Sequence, residues 1–300
     1  MIILRRSKER LFNLGEYMKK IIIIPSNEEV FNKTKKIADG YIIGIENLCT
    51  NNSLCINMQN MNLLNKLSNK EIFISINKNM NTKELQLVKE YLLLLNNYSI
   101  KGILVYDIGV FNLYKKLNLN YDIYWSQEHL TTNYASINYW NNEGFSGVYI
   151  SNDITKEEIG ETLDNIDCKT MMTLFGYIPM FVSKRHAVTN YLNYFNLKDN
   201  SDINYIQKEG NTYPIVDNNI GTICYSGNIL NGIRTYLDLN INYCVLDSFD
   251  IDLNKFIKVV ELFKNVNENN IDKFEEKINK LFKNVSDGFL NTKTIYRVKK

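Results

Sequence analysis

The chain has 300 residues, and its 35 Lys and Arg nearly balance 33 Asp and Glu, which leaves a formal net charge of +2. This balance excludes a strong overall field for nucleic acid, so any RNA binding must come from a local patch. Hydrophobic residues make up 45% of the chain, which is typical of a globular protein. Since no apolar run approaches the roughly 20 residues of a membrane-spanning helix, we expect no membrane partner.

The N-terminus is basic and lacks a periodic pattern over residues 1–17. We interpret this stretch as a loosely ordered extension, with Met18 as the more natural start. The run of four isoleucines that ends at Pro25 is too short for the core of a signal peptide. These features predict a cytoplasmic protein.

Apolar, β-branched runs alternate with helix-like segments along the rest of the chain. The predicted strands are, in order, 21–25, 41–45, 72–76, 103–106, 123–125, 148–150, 170–175 and 243–246. The predicted helices are 28–38, 61–67, 82–95 with Thr82 as N-cap, 110–117, 134–141, a helix from Thr155 with a capping box to Glu158, 185–195, 229–239, 252–266 and 271–281. Eight such units predict an α/β fold, a (β/α)8 TIM-like barrel.

The alternation of predicted strands and helices stops over residues 197–227. Asp, Asn and Gly cluster there between short runs in which apolar and polar residues alternate. This pattern predicts a small β-hairpin insertion that turns at residues 217–221. We therefore expect one barrel domain over residues 18–300. Its last part, 267–300, is predicted as a closing helix followed by an extended segment.

Ligands of such barrels bind at the carboxyl ends of the strands. The polar residues predicted to lie there are Asn27, Glu46, Asn77, Asp107, Gln127, Glu128, Asn152, Arg185 and Asp247. The loops after the fifth and seventh predicted strands carry more amide, hydroxyl and charged groups than a connection needs. We expect Glu128 and Arg185 to share one rim.

The predicted catalytic residues are Glu128, Gln127 and Arg185. Glu128 is a candidate general base, or else an N-cap or the ion-pair partner of Lys184 or Arg185. The Arg185 guanidinium suits a carboxylate or phosphate, or else forms a structural ion pair. The residues predicted to contact substrate are Glu46, Trp125, Thr131, Asn133, Tyr134, Ser183, Lys184, Asn190 and Tyr191.

Several residues have two open interpretations. Trp125, Tyr134, Tyr139 and Trp140 either stack on a nucleobase or pack a helix onto the sheet. His129 and His186 either transfer protons or are ordinary loop residues, and Asp247 and Asp250 either close the mouth or cap a helix. The five cysteines are odd in number and scattered, which favours free thiols over a metal site.

Four ordered segments resemble the peptidase U32 family, in particular its short bacterial members linked to hydroxylation of the tRNA wobble uridine. They are Trp125 to Trp140 (WSQEHLTTNYASINYW), Ser183 to Tyr191 (SKRHAVTNY), Tyr213 to Thr222 (YPIVDNNIGT) and Ser286 to Tyr296 (SDGFLNTKTIY). The resemblance implies a barrel domain, tRNA as partner, and prephenate as the small carboxylate co-substrate. It also implies a longer U32 paralogue as a partner chain.

Many members of this family hold an iron–sulfur cluster through cysteines. The corresponding positions here are Pro179 and His186, so we expect no cluster and no bound cofactor. Two alternatives stay open beside uridine hydroxylation: a non-catalytic tRNA-binding or scaffold partner of the paralogue, and a collagenase-like peptidase.

Overall fold

The structure is a computed structural model, and it describes residues 19–67, 69–127, 129–198 and 201–292. The predicted extension 1–17 lies outside these residues. The strands are β1 (Lys20–Ile24), β2 (Gly40–Ile45), β3 (Cys55–Ile56), β4 (Glu71–Ile76), β5 (Gly102–Val105), β6 (Asp122–Trp125), β7 (Gly147–Tyr149), β8 (Lys169–Gly176), β9 (Pro179–Ser183), β10 (Asn204–Lys208), β11 (Asn211–Asn218), β12 (Gly221–Tyr225), β13 (Ile229–Asn231), β14 (Tyr243–Asp247) and β15 (Val285–Ser286).

The helices lie mostly between barrel strands. They are α1 (Glu28–Thr34), a 3-10 helix (Met61–Leu67), α2 (Glu84–Leu95), α3 (Ile108–Lys116), α4 (Tyr134–Glu143), α5 (Lys156–Asp164), α6 (Ala187–Tyr194), α7 (Ile233–Asp238), α8 (Leu253–Asn265) and α9 (Ile271–Leu281). Among the helices of the described ranges, none is long and apolar enough to cross a bilayer.

Eight parallel strands close into a barrel in the order β1, β2, β4, β5, β6, β7, β8 and β14. Closure depends on β14, which pairs in parallel with both β8 and β1. Ile21 lies opposite Cys244 on one side, and Tyr243 lies opposite Met171 on the other. This arrangement confirms the predicted (β/α)8 barrel.

The strand residues are apolar on both faces because one face lines the barrel interior and the other packs against helices. Phe73, Tyr124 and Tyr243 meet edge to face in the interior, with ring centroids 4.9–6.1 Å apart. Alternate residues such as Ile43 and Val105 belong to the larger core under the helices. Each fully buried aliphatic side chain of this kind contributes about 1.5–3 kcal/mol.

Several helix starts follow the capping chemistry of the sequence: the side chains of Asn27, Asp107, Asn133, Thr155 and Asp252 cap α1, α3, α4, α5 and α8. The predicted capping box of Thr155 and Glu158 is confirmed. The prediction that Thr82 caps α2 is wrong, because Asn81 Oδ1 accepts the backbone N–H of Glu84 at 3.0 Å, and α2 begins at Glu84. Asn is as good a capping residue as Thr, so the sequence alone does not show which of the neighbours Asn81 and Thr82 caps the helix.

A second, antiparallel sheet with strand order β10-β11-β12-β9 follows β8. Its β11–β12 hairpin turns between Asn218 and Gly221, as predicted. The hairpin lies within the predicted range 197–227, and the sheet also includes β9, which precedes that range. Ser183, Lys184 and Arg185 therefore do not follow a barrel strand directly, which corrects the predicted strand-end position of Arg185.

The chain leaves the barrel at Gly176, whose φ of 123° belongs to the region that favours glycine. A Cβ at this position would lie 2.7 Å from the backbone oxygen of Asp247. Gly176 thus ends β8 by allowing β14 to approach closely. Apart from Gly176 and Pro179, the sequence around this break is apolar.

The prediction of one helix over residues 229–239 is wrong. Ile229–Asn231 is strand β13, which pairs antiparallel with β8, and the helix covers only Ile233–Asp238. Gly232 separates the two and donates its N–H to Leu174 O at 2.7 Å. The predicted closing helix is confirmed as α9, whereas most of the predicted final extended segment lies outside the described residues.

Candidate functional site

A cleft of about 1020 Å³ lies between the barrel and the second sheet. Its walls come from the loops after β1, β2 and β14, so it opens at the carboxyl ends of the strands. The lining residues are Ser26, Asn27, Glu46, Asn47, Cys49, Thr50, Asn51, Asn52, Ser53, Leu54, Cys55, Asp202, Ile203, Val216, Asp217, Asn218, Asn219, Ile220, Ile223, Tyr225, Phe249, Asp250, Ile251 and Asp252. This volume is at the upper end of the range for small-molecule pockets.

The loop after β2, residues 46–54, forms one side of the cleft. Hydrogen bonds from two other parts of the protein hold it in place. From the end of β4, Asn77 Oδ1 accepts the N–H of Thr50 at 2.9 Å, and Asn77 Nδ2 donates to Asn51 Oδ1 at 2.6 Å. From the hairpin of the second sheet, Asn218 Nδ2 donates to Thr50 O at 3.0 Å. These bonds connect the second sheet to the barrel at the cleft.

Asn52, in the same loop, is 8% exposed, and neither polar atom of its side chain has a hydrogen-bond partner. A buried amide without partners costs about 1–3 kcal/mol. The two residues that precede it, Thr50 and Asn51, are by contrast bonded to Asn77. The loop thus carries one amide whose hydrogen bonding can improve if the loop shifts or a ligand reaches it.

The charged residues that line the cleft are all acidic within the described part of the chain: Glu46, Asp202, Asp217, Asp250 and Asp252. Burial would raise the pKa of Asp217, but hydrogen bonds from Thr222 and Thr189 outweigh it and lower that pKa. Burial raises the pKa of Asp250, although the Tyr205 hydroxyl donates to it at 3.0 Å and opposes the shift. Asp250 therefore holds a proton more readily than an ordinary aspartate.

An aromatic pair forms the apolar wall of the cleft. Tyr225, from β12, and Phe249, after β14, stack with ring centroids 4.0 Å apart and planes 17° apart. Ile223 packs beside them in the same small core. Acidic groups and an apolar wall together suit a neutral, hydrogen-bond-donating ligand better than an anion.

Of the predicted site residues, Glu46 lines the cleft, where its carboxylate accepts Asn57 Nδ2 at 2.9 Å. Glu128 lies outside the described residues, so its expected shared rim with Arg185 stays a prediction. Gln127 is half-buried after β6, and its backbone carbonyl accepts the hydroxyl of buried Thr131 at 3.1 Å. That bond stabilises the turn after β6.

The aromatic residues after β6 divide between core and surface. Trp125 is 2% exposed and stacks on Trp140 at 4.0 Å between ring centroids, so both tryptophans pack α4 onto the barrel. Asn133 caps α4 by accepting Ser136 N–H at 3.0 Å, and Tyr134 is exposed. Trp125 therefore presents no open ring face, whereas Tyr134 does.

The five remaining predicted contacts lie on the second sheet and its helix. Ser183 ends β9, where its hydroxyl accepts the N–H of Arg185 at 3.1 Å. Lys184, Arg185, Asn190 and Tyr191 are exposed. The Thr222 hydroxyl, which bonds Asp217 in the cleft, also lies 2.7 Å from Arg185 O. These two contacts of Thr222 bring the backbone of Arg185 close to Asp217 in the cleft wall.

We call residues 180–197, which form β9, α6 and the turns beside them, the β9–α6 surface. It is rich in exposed apolar groups, and α6 buries none of its residues. The exposed large apolar side chains on it are Met180, Phe181, Val182, Tyr191, Tyr194, Phe195 and Leu197. Tyr194 is the most open, at 80%. Exposed apolar side chains in this number are typical of surfaces that contact a partner.

The other polar residues predicted at the rim have structural roles. Asn27 and Asp107 cap α1 and α3, Asn152 Nδ2 donates to Thr173 O at 2.8 Å, and Asp247 accepts Phe249 N–H at 2.9 Å. His129 Nδ1 lies 2.9 Å from Asp153 in an exposed pair. Rim position alone therefore does not identify ligand contacts.

The residues present do not fit an iron–sulfur cluster. Pro179 has no ligating atom and pairs with Tyr225 in the second sheet, and His186 immediately precedes α6. Over the described ranges, no group of three or more His, Cys, Asp or Glu could hold a metal ion. We therefore derive no chemistry from a cluster.

Sequence reasoning missed the contribution of the loop after β2 beyond Glu46. Cys49 Sγ and Cys55 Sγ lie 3.4 Å apart there, and all five cysteines are free thiols. One signal was available: Gly44 interrupts an otherwise bulky strand, and two cysteines follow within eleven residues. A missing side chain in a core strand often marks the close approach of another group.

Comparison with known proteins places this architecture in a family. The model of peptidase family U32 matches residues 45–212, more than half of the chain. The chain is 22% identical over 255 residues to "tRNA hydroxylation protein P2" of Bacillus subtilis (strain 168), covering 75% of this chain and 81% of that protein. It is 20% identical over 122 residues to "tRNA hydroxylation protein P1" of the same organism, covering 41% of this chain and 29% of that protein. No solved structure was found to match. The chain therefore belongs to peptidase family U32.

Proposed function

We propose that this protein acts in tRNA modification, as a subunit for 5-hydroxylation of the wobble uridine, with a longer U32 paralogue as partner. The observation that carries the proposal is the cleft at the carboxyl ends of the barrel strands, in a chain similar over most of its length to a tRNA hydroxylation protein. A nucleotide flipped out of its stack needs a pocket of this kind.

The chemistry of the lining supports a nucleoside rather than a phosphate as occupant. Carboxylates such as Glu46 and Asp252 accept hydrogen bonds from ribose hydroxyls, as acidic residues do in dinucleotide sites, but they repel phosphate. The pyrimidine ring is neutral and fits against the wall formed by Tyr225 and Phe249. In this arrangement the base and sugar enter the cleft, and the phosphates stay outside.

Cations for the phosphates lie on the adjoining surface. Lys184 and Arg185 are exposed, and Tyr191 offers an open ring on the same surface. Basic side chains interleaved with exposed rings suit single-stranded loop nucleotides, through phosphate contacts and base stacking. We propose this set as the contact for the anticodon loop.

We further propose prephenate as the co-substrate, with Gln127 and Glu128 positioning the reacting group. Its carboxylates need cations, and the cleft lining has none among the residues described. Lys184 and Arg185 have the matching chemistry. Binding of prephenate is therefore expected to weaken in an Arg185→Ala variant.

The test combines deletion with a cleft-blocking variant. In a strain that keeps the longer paralogue but has no redundant copy of this protein, deletion of the gene should abolish the hydroxyuridine-derived nucleoside in digested tRNA, measured by mass spectrometry. Ser53 is exposed and lines the cleft, so Ser53→Trp should fill the space and lower modification to the deletion level. Ser99→Trp is the matched control, since Ser99 is also exposed but precedes β5 at the opposite end of the barrel.

Unchanged modification after deletion would refute the proposed function. A second candidate, a non-catalytic subunit that binds tRNA or the paralogue, is favoured by the apolar β9–α6 surface. If deletion abolishes modification but Ser53→Trp retains it fully, with Tyr194→Ala and Phe195→Ala weakening complex formation, the accessory role is correct instead.

A further inference from the structure

We propose that Cys49 and Cys55 form a redox-active dithiol beside the cleft, which closes to a disulfide by exchange with a small-molecule disulfide. The two sulfur atoms are 3.4 Å apart, with no disulfide between them. A disulfide bond is about 2.05 Å long. Closure therefore requires the sulfurs to approach by little more than 1 Å, within a loop of five intervening residues.

The strand beneath the thiols is built to accommodate the pair. Gly44 in β2 lies opposite Cys55 in β3. A Cβ at position 44 would lie 2.2 Å from Cys49 Sγ and 2.8 Å from Cys55 Sγ. Any other residue at this position would displace both sulfurs, so the space that glycine leaves is what allows the thiols to meet.

The two thiols differ in accessibility and in acidity. Both thiols line the cleft, but Cys49 is only 4% exposed, whereas Cys55 is half-buried. The hydrogen bond between them lowers the pKa of Cys55, against the effects of burial and of Glu46. The same bond, together with burial, raises the pKa of Cys49. Cys55 is therefore the attacking thiolate, and Cys49 is the resolving thiol.

The exchange is balanced in two steps. The Cys55 thiolate attacks one sulfur of a disulfide RSSR, forming Cys55–S–SR and releasing RS⁻. The Cys49 thiol loses its proton and attacks Cys55 Sγ, forming the Cys49–Cys55 bond and releasing a second RS⁻. The two released thiolates take up the two protons lost by the cysteines, so RSSR is reduced to two RSH and the protein dithiol is oxidised.

The other three cysteines lack these properties. Burial raises the pKa of Cys244 to about 12 and that of Cys168 to about 11. Burial also raises the pKa of Cys224, whose sulfur lies near a backbone carbonyl. They are therefore expected to stay reduced under conditions that oxidise the pair.

Closure affects the cleft because the bridge would span the loop that carries Thr50 and Asn52. Cys55 Sγ now donates to Asn52 O at 3.1 Å. This bond is lost when the sulfur joins a disulfide, since no S–H remains. Closure therefore removes one of the bonds within the loop that carries the unpartnered Asn52 side chain.

The test uses the full-length protein and oxidised glutathione, followed by alkylation and peptide mass spectrometry. We expect Cys49 and Cys55 to be lost together from the alkylated pool and recovered as one intramolecular disulfide. Cys168, Cys224 and Cys244 should stay alkylatable, and reduction should restore both thiols. Because the wild-type protein is sufficient, the result does not depend on whether a variant folds.

Variants then assign the roles. Cys49→Ser should accumulate a stable glutathione adduct on Cys55, which the wild-type protein shows only in trace amounts. Cys55→Ser should leave Cys49 unmodified, and Cys168→Ser, at a half-buried thiol outside the cleft, should behave as wild type. The proposal is overturned if both thiols stay alkylatable in excess oxidised glutathione, or if Cys55→Ser traps glutathione on Cys49 as fast as Cys49→Ser does on Cys55. Neither result bears on tRNA modification, so the two proposals fail separately.

Discussion

Substitution of Gly44 by alanine should destabilise the protein through a contact with Cys49. The added Cβ would lie 2.2 Å from Cys49 Sγ and 2.9 Å from the Cβ of Asn52. Carbon atoms pack best at about 3.5–4.0 Å, so the loop has to move by more than 1 Å. Overpacking of this kind costs about 1–3 kcal/mol, and we expect Gly44→Ala to lower the free energy of unfolding by about 2–3 kcal/mol.

Urea denaturation followed by circular dichroism measures this loss. Gly160→Ala is the matched control, because Gly160 lies in α5 and its added Cβ would meet only Leu239 Cδ2, at 3.7 Å. There alanine should stabilise the helix by up to about 1 kcal/mol, the difference in helix propensity.

The double variant Gly44→Ala/Cys49→Ala tests whether the sulfur is the cause. Without the sulfur, the double variant should lose less unfolding free energy than the two single variants together. We expect the difference, which is the coupling energy between two residues in contact, to be at least about 1 kcal/mol. The reasoning is refuted if Gly44→Ala and Gly160→Ala have equal effects, or if the double-mutant cycle shows no coupling.

Two further predictions concern the cleft. Asp217→Asn should lower stability near neutral pH by about 1–2 kcal/mol, after discounting for partial exposure. Because the pKa of Asp217 is lowered from 3.8, the wild-type advantage should shrink as the pH falls through and below about 3.8; thermal unfolding near pH 7 and about pH 3 measures both, and a difference that grows in acid would contradict it. Asn52→Leu should keep or raise the free energy of unfolding, because it removes an unpartnered amide, whereas Asn77→Leu should lower it by breaking the bonds to Thr50 and Asn51. Equal losses in the two variants would show that Asn52 has an important partner.

The barrel could be predicted because its strands are short, apolar on both faces and separated by periodic helices. Ile21 to Ile24 and Tyr243 to Leu246 illustrate this, since each run is fully consistent with a strand buried on both sides. The hairpin turn near Asn218 was equally clear from its Asn and Gly content. Local composition is sufficient to predict a strand that is buried on both sides and a turn that is rich in Asn and Gly.

The second sheet could not be delimited in the same way. Residues 174–183 are almost continuously apolar, and what divides them is the approach of Asp247 to Gly176, a contact between residues far apart in sequence. The position of Arg185 depends on this division. Similarly, the thiol pair depends on the pairing of β3 with β2, and two-residue strands have no periodicity to detect.

The late closure of the barrel has a consequence for synthesis on the ribosome. Ser26 N–H bonds Ser248 across 222 residues of sequence, and the edge of β1 has no partner on that side until β14 has emerged. Long-range pairing of this kind folds slowly and leaves hydrophobic edges open to aggregation. Nascent chains that stop short of residue 243 should therefore depend on chaperones. Once β14 has emerged from the ribosome, the chains should no longer need them.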